Sequence, residues 1–162
     1  MKPRQQCNKC LNLERTDHEF DPFSVFASFT RGFACGVSAY VPAILDYHEM
    51  QLSVQALIDS GAAVNVLPHS VGIQLGAKWP GRSPGLPLSG NLAGAGGAHP
   101  LDLTVIIPGL PPARLLFAWV ANDIPPVIFG QTNFFHQFDV CFFGSRGEME
   151  IRPVMPSAPA AP

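Results

Sequence analysis

Seventeen prolines and fifteen glycines punctuate the 162 residues of this chain, and the runs they leave between them are short. Proline removes a backbone donor and glycine favours turns, so long helices and long central strands do not cross such points. The remaining runs carry strand signals. Phe33 to Leu45 and Met50 to Ile58 flank the polar Asp46-Tyr47-His48-Glu49, a four-residue connection suited to a hairpin. Leu101, Leu103 and Val105 alternate with Asp102 and Thr104, the mark of a half-buried strand, and a Pro108-Gly109 turn leads to a second strand over Ala113 to Val120. Phe138 to Phe143 and Glu148 to Arg152 bracket Gly144-Ser145-Arg146-Gly147, a further hairpin. Pro68 to Leu75 suits a short helix or turn ended by Gly76, whereas Pro80, Pro84 and Pro87 exclude a regular central strand between Trp79 and Pro87. Many short strands with little helical periodicity imply an all-β, partly closed barrel.

One of these strands ends on a charge. Val54 to Ile58, apolar but for Gln55, runs into Asp59-Ser60-Gly61, followed by Ala62-Ala63-Val64-Asn65-Val66-Leu67-Pro68. An ionised carboxylate beside so much hydrocarbon costs several kcal/mol unless hydrogen bonds or a shared proton compensate. Packing alone rarely leaves one there, so chemistry is the better reason for Asp59. Gly61 lets the backbone turn sharply and bring amide N–H groups to the carboxylate, and Ser60 supplies a hydroxyl for local or cross-interface bonding. Asp-Ser-Gly is also an ordinary turn signal when it stands alone.

It does not stand alone here. Ala56-Leu57-Ile58-Asp59-Ser60-Gly61-Ala62 resembles the catalytic motif of the single-lobe, retropepsin-like aspartic proteases, and Val127-Ile128-Phe129-Gly130 resembles the hydrophobic-hydrophobic-Gly element that follows it late in that family. Gln131 to Gln137 then suits a short helix. Between the two elements, Leu88 to His99 holds Gly90, Gly94, Gly96 and Gly97 and reads as the mobile hairpin in which the family carries its flap. The resemblance covers about Val37 to Pro153. It implies a retropepsin-like acid protease barrel, a single lobe with a β-hairpin flap and one short helix. Residues 1–32 are then an N-terminal extension, 33–153 the protease domain and 154–162 a Pro/Ala-rich disordered tail. In the extension, Phe20, Phe23, Phe26 and Phe29 recur at a spacing of three that suits one face of a short helix or an extended segment clamped to the body.

Composition excludes several other functions. With 47% apolar residues the chain supports one domain with a real core and is too short for two lobes. Only 14% of residues are charged and the net charge is −2, so neither a nucleic acid nor a membrane surface finds a basic face. Phe20 to Leu45 is interrupted too often to span a bilayer, and polar Gln5, Gln6, Asn8 and Lys9 stand where a signal peptide has its apolar core, so a cytoplasmic location is expected. Cys7, Cys10, Cys35 and Cys141 fit reduced thiols in that compartment. Cys7-Asn8-Lys9-Cys10 is a single pair where closed zinc sites take four ligands, so no metal and no cofactor is expected, a metal-binding adaptor being the weaker reading. His48, His69, His99 and His136 share no ligand or triad spacing and read as surface or loop residues.

Hydrolysis by carboxylates needs two that share one proton, one acting as base on water and the other polarising the scissile carbonyl. This chain offers one candidate: Asp46 reads as a turn residue, Asp102 lies on an alternating strand, Asp123 in a loop and Asp139 at a strand start. A homodimer with two Asp59 carboxylates on its two-fold axis meets the need. On the resemblance, Asp59, Ser60 and Gly61 are catalytic, with the Ser60 hydroxyl reaching across the axis. Ala62, Gly94, Ala95, Gly96, Gly97, Ile128 and Gly130 line or support the groove for a peptide or protein substrate, bound as an added strand. Retroviral members brace their dimers with an acidic residue and an Arg at the positions of Ala63 and Gln131, so that brace is not implied here. The alternative reading is a non-catalytic peptide-binding or dimerisation module of the same fold.

Overall fold

A computed structural model describes residues 25–28, 30–31, 37–81, 85 and 97–154. Cys7, Cys10, Cys35, Gly94, Ala95, Gly96, most of the N-terminal extension and the tail from residue 155 lie outside the described residues. In chain order the elements are β1 (Val25–Ser28), β2 (Thr30–Arg31), β3 (Val37–Ser38), β4 (Tyr40–Tyr47), β5 (Met50–Ile58), β6 (Asn65–Leu67), α1 (His69–Gln74), β7 (Ala98–Ile106), β8 (Ala113–Val120), β9 (Val127–Phe129), α2 (Phe134–Gln137), β10 (Phe138–Phe143) and β11 (Glu148–Pro153). Among the described residues two short helices form, one from each stretch whose sequence allowed it, where the resemblance implied one.

Six strands close a barrel in the order β4-β5-β9-β6-β8-β7. Hairpins account for the antiparallel joins β4–β5 and β7–β8, and β4 pairs with β7 to complete the ring. Closure removes every exposed edge of that sheet. Strand β9 lies between β5 and β6, parallel to the first and antiparallel to the second. Strands adjacent in sequence are thus held apart by a third, which decides the shape of the loop joining them.

Alternation along the strands fills the barrel. Leu101, Leu103 and Val105 of β7 face Leu115 and Phe117 of β8, with Leu45, Ile58, Leu67 and Phe129 from the other strands, in one buried core. Outside the ring, β1, β11 and β10 form a three-stranded sheet. Its apolar side, with Val25, Met149, Ile151 and Val140, packs on the same core. Of the two conformations open to the Phe-rich segment, residues 25–28 take the extended one and pair with β11.

The first hairpin turns more tightly than the polar tetrapeptide suggested. Asp46 and Tyr47 remain in β4, opposite Gln51 and Met50, and only His48 and Glu49 make the turn. Both have positive φ, 48° and 71°, as a two-residue turn matched to strand twist requires. Asp46 is therefore a strand residue, and its Oδ2 accepts a bond from Gln51 Nε2 at 2.8 Å.

Two histidines read as surface or loop residues are also placed otherwise. His99 has the parity of Leu101 and Leu103, points into the barrel and is 8% exposed. Its ring meets Trp79 edge to face at 4.7 Å, and Trp79 in turn meets Trp119 at 4.8 Å and His69 at 5.1 Å. The alternation that marks β7 continues two residues upstream of Leu101, into a stretch whose glycines masked it. Helix α1 approaches this cluster closely, because a Cβ on Gly72 would lie 2.3 Å from Trp119 Cε2. The indole Nε1 donates to His69 O at 3.1 Å.

Pro68, at the start of α1, makes no side-chain cap. The cap comes instead from Asp123, whose Oδ1 accepts the Ser70 N–H at 2.7 Å from 53 residues away in sequence. That backbone bond, then the Ser70 hydroxyl and the charge of nearby His69, hold the Asp123 carboxyl below its ordinary range. A carboxyl with a depressed folded pKa stabilises the fold above its unfolded pKa, and the contribution is lost as the pH falls through the folded value. Urea unfolding should therefore show wild type more stable than Asp123→Asn at about pH 7, the gap closing below the ordinary carboxylate range, at about pH 2. A gap independent of pH would contradict this role for the charge.

Candidate active site

Neighbouring strands lie about 4.8 Å apart, so the loop from β5 to β6 must cross roughly twice that distance over the end of β9. Residues 59–64 make the crossing. At its start, the Asp59 N–H donates to Phe129 O at 3.0 Å, which extends the β5–β9 pairing to the carboxylate-bearing residue. The chain then turns at once. Gly61 N–H donates to Asp59 Oδ1 at 2.8 Å, and Ala62 N–H donates to Asp59 O at 3.1 Å. A Cβ on Gly61 would stand only 3.1 Å from Oδ1, so glycine suits the close approach that orients the carboxylate. Asp59 is half-buried, with Ser60 and Gly61 exposed at the tip of the loop.

The underside of the loop rests on the chain leaving β9. Gln131 N–H donates to Ala62 O at 2.8 Å and Thr132 N–H to Ala63 O at 2.9 Å. The Gln131 side chain reaches further forward, its Nε2 donating to Ser60 O at 2.7 Å. A residue notable in the sequence for the brace it lacks thus ties the loop down within its own chain. Gly130 lies directly beneath: a Cβ there would fall 2.3 Å from Val64 O and 2.8 Å from Ala62 O. Its N–H donates at 2.8 Å to Oδ1 of Asn65, a fully buried side chain whose Nδ2 donates to Leu116 O at 2.9 Å. Sequence reasoning passed over Asn65. The available signal was a lone amide inside Val64-Asn65-Val66-Leu67, since a buried polar side chain in an apolar strand must find partners.

Beside the loop, on the side of the barrel wall away from the main core, lies a second apolar cluster. Val66, Ala98, Ala118, Val120 and Ile128 form it, with Leu57, Ala62 and Val64 packed against them. Ala62 and Ile128, predicted to line a groove, come together here. Gly97 immediately precedes Ala98 of this cluster. A Cβ on Gly97 would lie 3.6 Å from the Cα of Gly85, so the chain on either side of residues 86–96 meets at a narrow neck, with Gly85 against the Ala98 backbone. Gly94, Ala95 and Gly96 lie outside the described residues.

The other described aspartates stand outside the Asp59 loop. Asp46 bonds Gln51, and Asp102 pairs with Arg114 on the β7–β8 hairpin. Asp123 caps α1 beyond the far end of β6, on the order of 10 Å or more along the strand at about 3.3 Å per residue. Asp139 is exposed on β10. Glu148 and Glu150 pair with Arg146 and Arg152 on the terminal hairpin. One described carboxylate per chain therefore occupies the loop. Among the described residues no three His, Cys, Asp or Glu side chains gather as a metal site, and no helix is long and apolar enough to cross a membrane.

No family model matches the sequence, and no curated protein matches it. Solved structures do. The crystal structure of a retropepsin-like aspartic protease from Rickettsia conorii aligns over 80% of this chain and 90% of its own, with a TM-score of 0.60 at 15% identity. An EIAV protease complexed with the inhibitor HBY-793 aligns over 62% of this chain and 88% of its own, at 18% identity and a TM-score of 0.42, too loose a likeness to carry an argument. The first likeness is one of fold, and the six-stranded barrel matches it.

Gly130→Ala should be costly, because the added methyl meets backbone oxygen rather than a side chain that can rotate away. Urea unfolding should show a loss of roughly 1–3 kcal/mol or more, as overpacking of a tight site gives. A stability within about 0.5 kcal/mol of wild type would mean that the loop does not rest on Gly130 as described.

Proposed function

We propose that this chain, whose fold is that of the retropepsin-like aspartic proteases, is itself an aspartic endopeptidase that acts as a homodimer with one Asp59 from each copy. The observation that carries this reading is the half-buried carboxylate of Asp59, oriented by the Gly61 N–H on a loop strapped to β9, beside an apolar cluster that contains Ala62 and Ile128.

In the proposed reaction the two carboxyl groups hold one proton between them. The ionised one removes a proton from water as the water oxygen attacks the peptide carbonyl, and the protonated one donates to the carbonyl oxygen. The tetrahedral intermediate collapses when its nitrogen takes a proton from the dyad, the C–N bond breaks and one of the two hydroxyl groups on the former carbonyl carbon returns its proton to the dyad. A carboxylic acid and an amine leave, and the dyad again holds one proton. A second copy is needed because one lobe brings one carboxylate, and a two-fold axis places two identical loops face to face. The exposed Ser60 is then at the contact, where its hydroxyl reaches the partner loop. An extended peptide lies along the apolar cluster with its backbone bonded as an added strand and its apolar side chains against Ala62 and Ile128.

The test is cleavage of denatured casein or a peptide library by wild type and by Asp59→Asn, which is isosteric and folds without an ionised group. Both copies of the variant dimer lose the carboxyl group, so the rate should fall by at least about 10² to 10⁴. The wild-type profile should fall on both the acidic and the alkaline side, because both limbs belong to the coupled pair. Equal cleavage by the two proteins would contradict the proposal. Peptide binding without turnover in either would favour the binding-module reading.

A further inference from the structure

The β6–β9 join is thin. One register pair, Val66 with Ile128, connects the two strands. Yet this join fixes where β9 ends beneath the Asp59 loop, and the backbone there leaves Gly130 N–H to be satisfied by a side chain. Asn65 supplies it: the amide accepts from Gly130 N–H at 2.8 Å and donates to Leu116 O at 2.9 Å, using one acceptor and one donor on strands to either side of its own. The residue is fully buried, so neither backbone group has water as an easy substitute.

We infer that Asn65 is a positioning residue for Asp59, a side-chain rung that locks Gly130, and with it the loop-bearing end of β9, to the barrel at β8. This inference rests on the protease reading for its catalytic consequence. Its structural content is independent of it. The route is short and physical. Leu116 O fixes the amide, the amide fixes Gly130 N–H, the next two N–H groups hold Ala62 O and Ala63 O, and Phe129 O on the preceding residue holds Asp59 N–H. Residue type matters at each end. A hydroxyl is too short to span both partners, a leucine offers neither donor nor acceptor, and a carboxylate accepts from Gly130 while facing Leu116 O with no proton to give. A protonated carboxylic acid alone reproduces both bonds.

This makes Asn65→Asp a variant with an internal rescue. While the introduced carboxyl group is protonated, kcat and KM should match wild type. As it ionises, kcat should fall on the order of 10- to 100-fold with KM little changed, because a catalytic carboxylate displaced by about 1 Å costs that much in rate. Amide hydrogen exchange reads the same event without activity. In the ionised variant, and in Asn65→Leu, the N–H groups of Asp59, Gln131 and Thr132 should exchange at least about tenfold faster relative to wild type, with β7 and β8 amides unchanged. If Asn65→Leu does not fold, Asn65→Asp compared with wild type at about pH 4 and about pH 8 gives the answer. Unchanged exchange at those three amides, or faster exchange spread evenly over the barrel, would overturn the inference. An inactive wild type would remove the protease reading, and the exchange comparison would still decide the role of Asn65.

Discussion

The insertion of β9 between β5 and β6 is the constraint on which the rest of this molecule depends. Two strands adjacent in sequence and one spacing apart could be joined by a tight turn. With a third strand between them, the connection has to arch over that strand's end, and the space beneath the arch is too shallow for a side chain. Gly130 fits it, since a Cβ would meet the carbonyls of Ala62 and Val64 at well under van der Waals distance. The contact also makes bonds. The N–H groups of Gln131 and Thr132 point upward at the loop, and Phe129 O receives Asp59 N–H. The loop is therefore held on its underside while its tip, Ser60 and Gly61, stays exposed.

A loop held in this way solves a problem of charge. A carboxylate at the end of an apolar strand needs a donor, and the turn that the crossing demands brings Gly61 N–H to Asp59 Oδ1. The same geometry that satisfies the backbone orients the acid. Alternation across the barrel wall adds the apolar partner surface: neighbours of Leu67 and Phe129 in sequence, Val66 and Ile128, face the other way and join Ala62 beside the loop. Acid and apolar surface follow from one strand order.

Much of this was legible in the sequence because it is written locally. The hairpins, the short helices and the Asp59 turn each depend on a few neighbouring residues, and glycine is demanded at 130 by close backbone approach and favoured at 61 by the nearby Asp59 carboxylate, which leaves a compositional trace. What the sequence hides depends on contacts distant along the chain. His99 reads as a loop residue because glycines precede it, whereas its parity with Leu101 places it inside the barrel against Trp79. Asn65 bonds residues 51 and 65 positions away, and Asp123 caps a helix 53 positions before it. Gln131 stands out for a missing charge, but its amide is used on Ser60 O. Asp46 reads as a turn residue because polar residues cluster there, while positive φ at only His48 and Glu49 keeps it in the strand.

The central claim is that one carboxylate per chain becomes a catalytic pair only when two chains meet at their Asp59 loops. Titrating a fixed amount of wild type with increasing Asp59→Asn chains, at a total concentration where dimers form and after time for exchange, tests it most directly. Each mixed dimer holds one competent acid and sequesters a wild-type chain, so cleavage per wild-type chain should fall in proportion to the wild-type fraction and approach zero in excess mutant. Activity per wild-type chain that stays flat across the titration would contradict the account, because it would show that one chain completes the chemistry by itself.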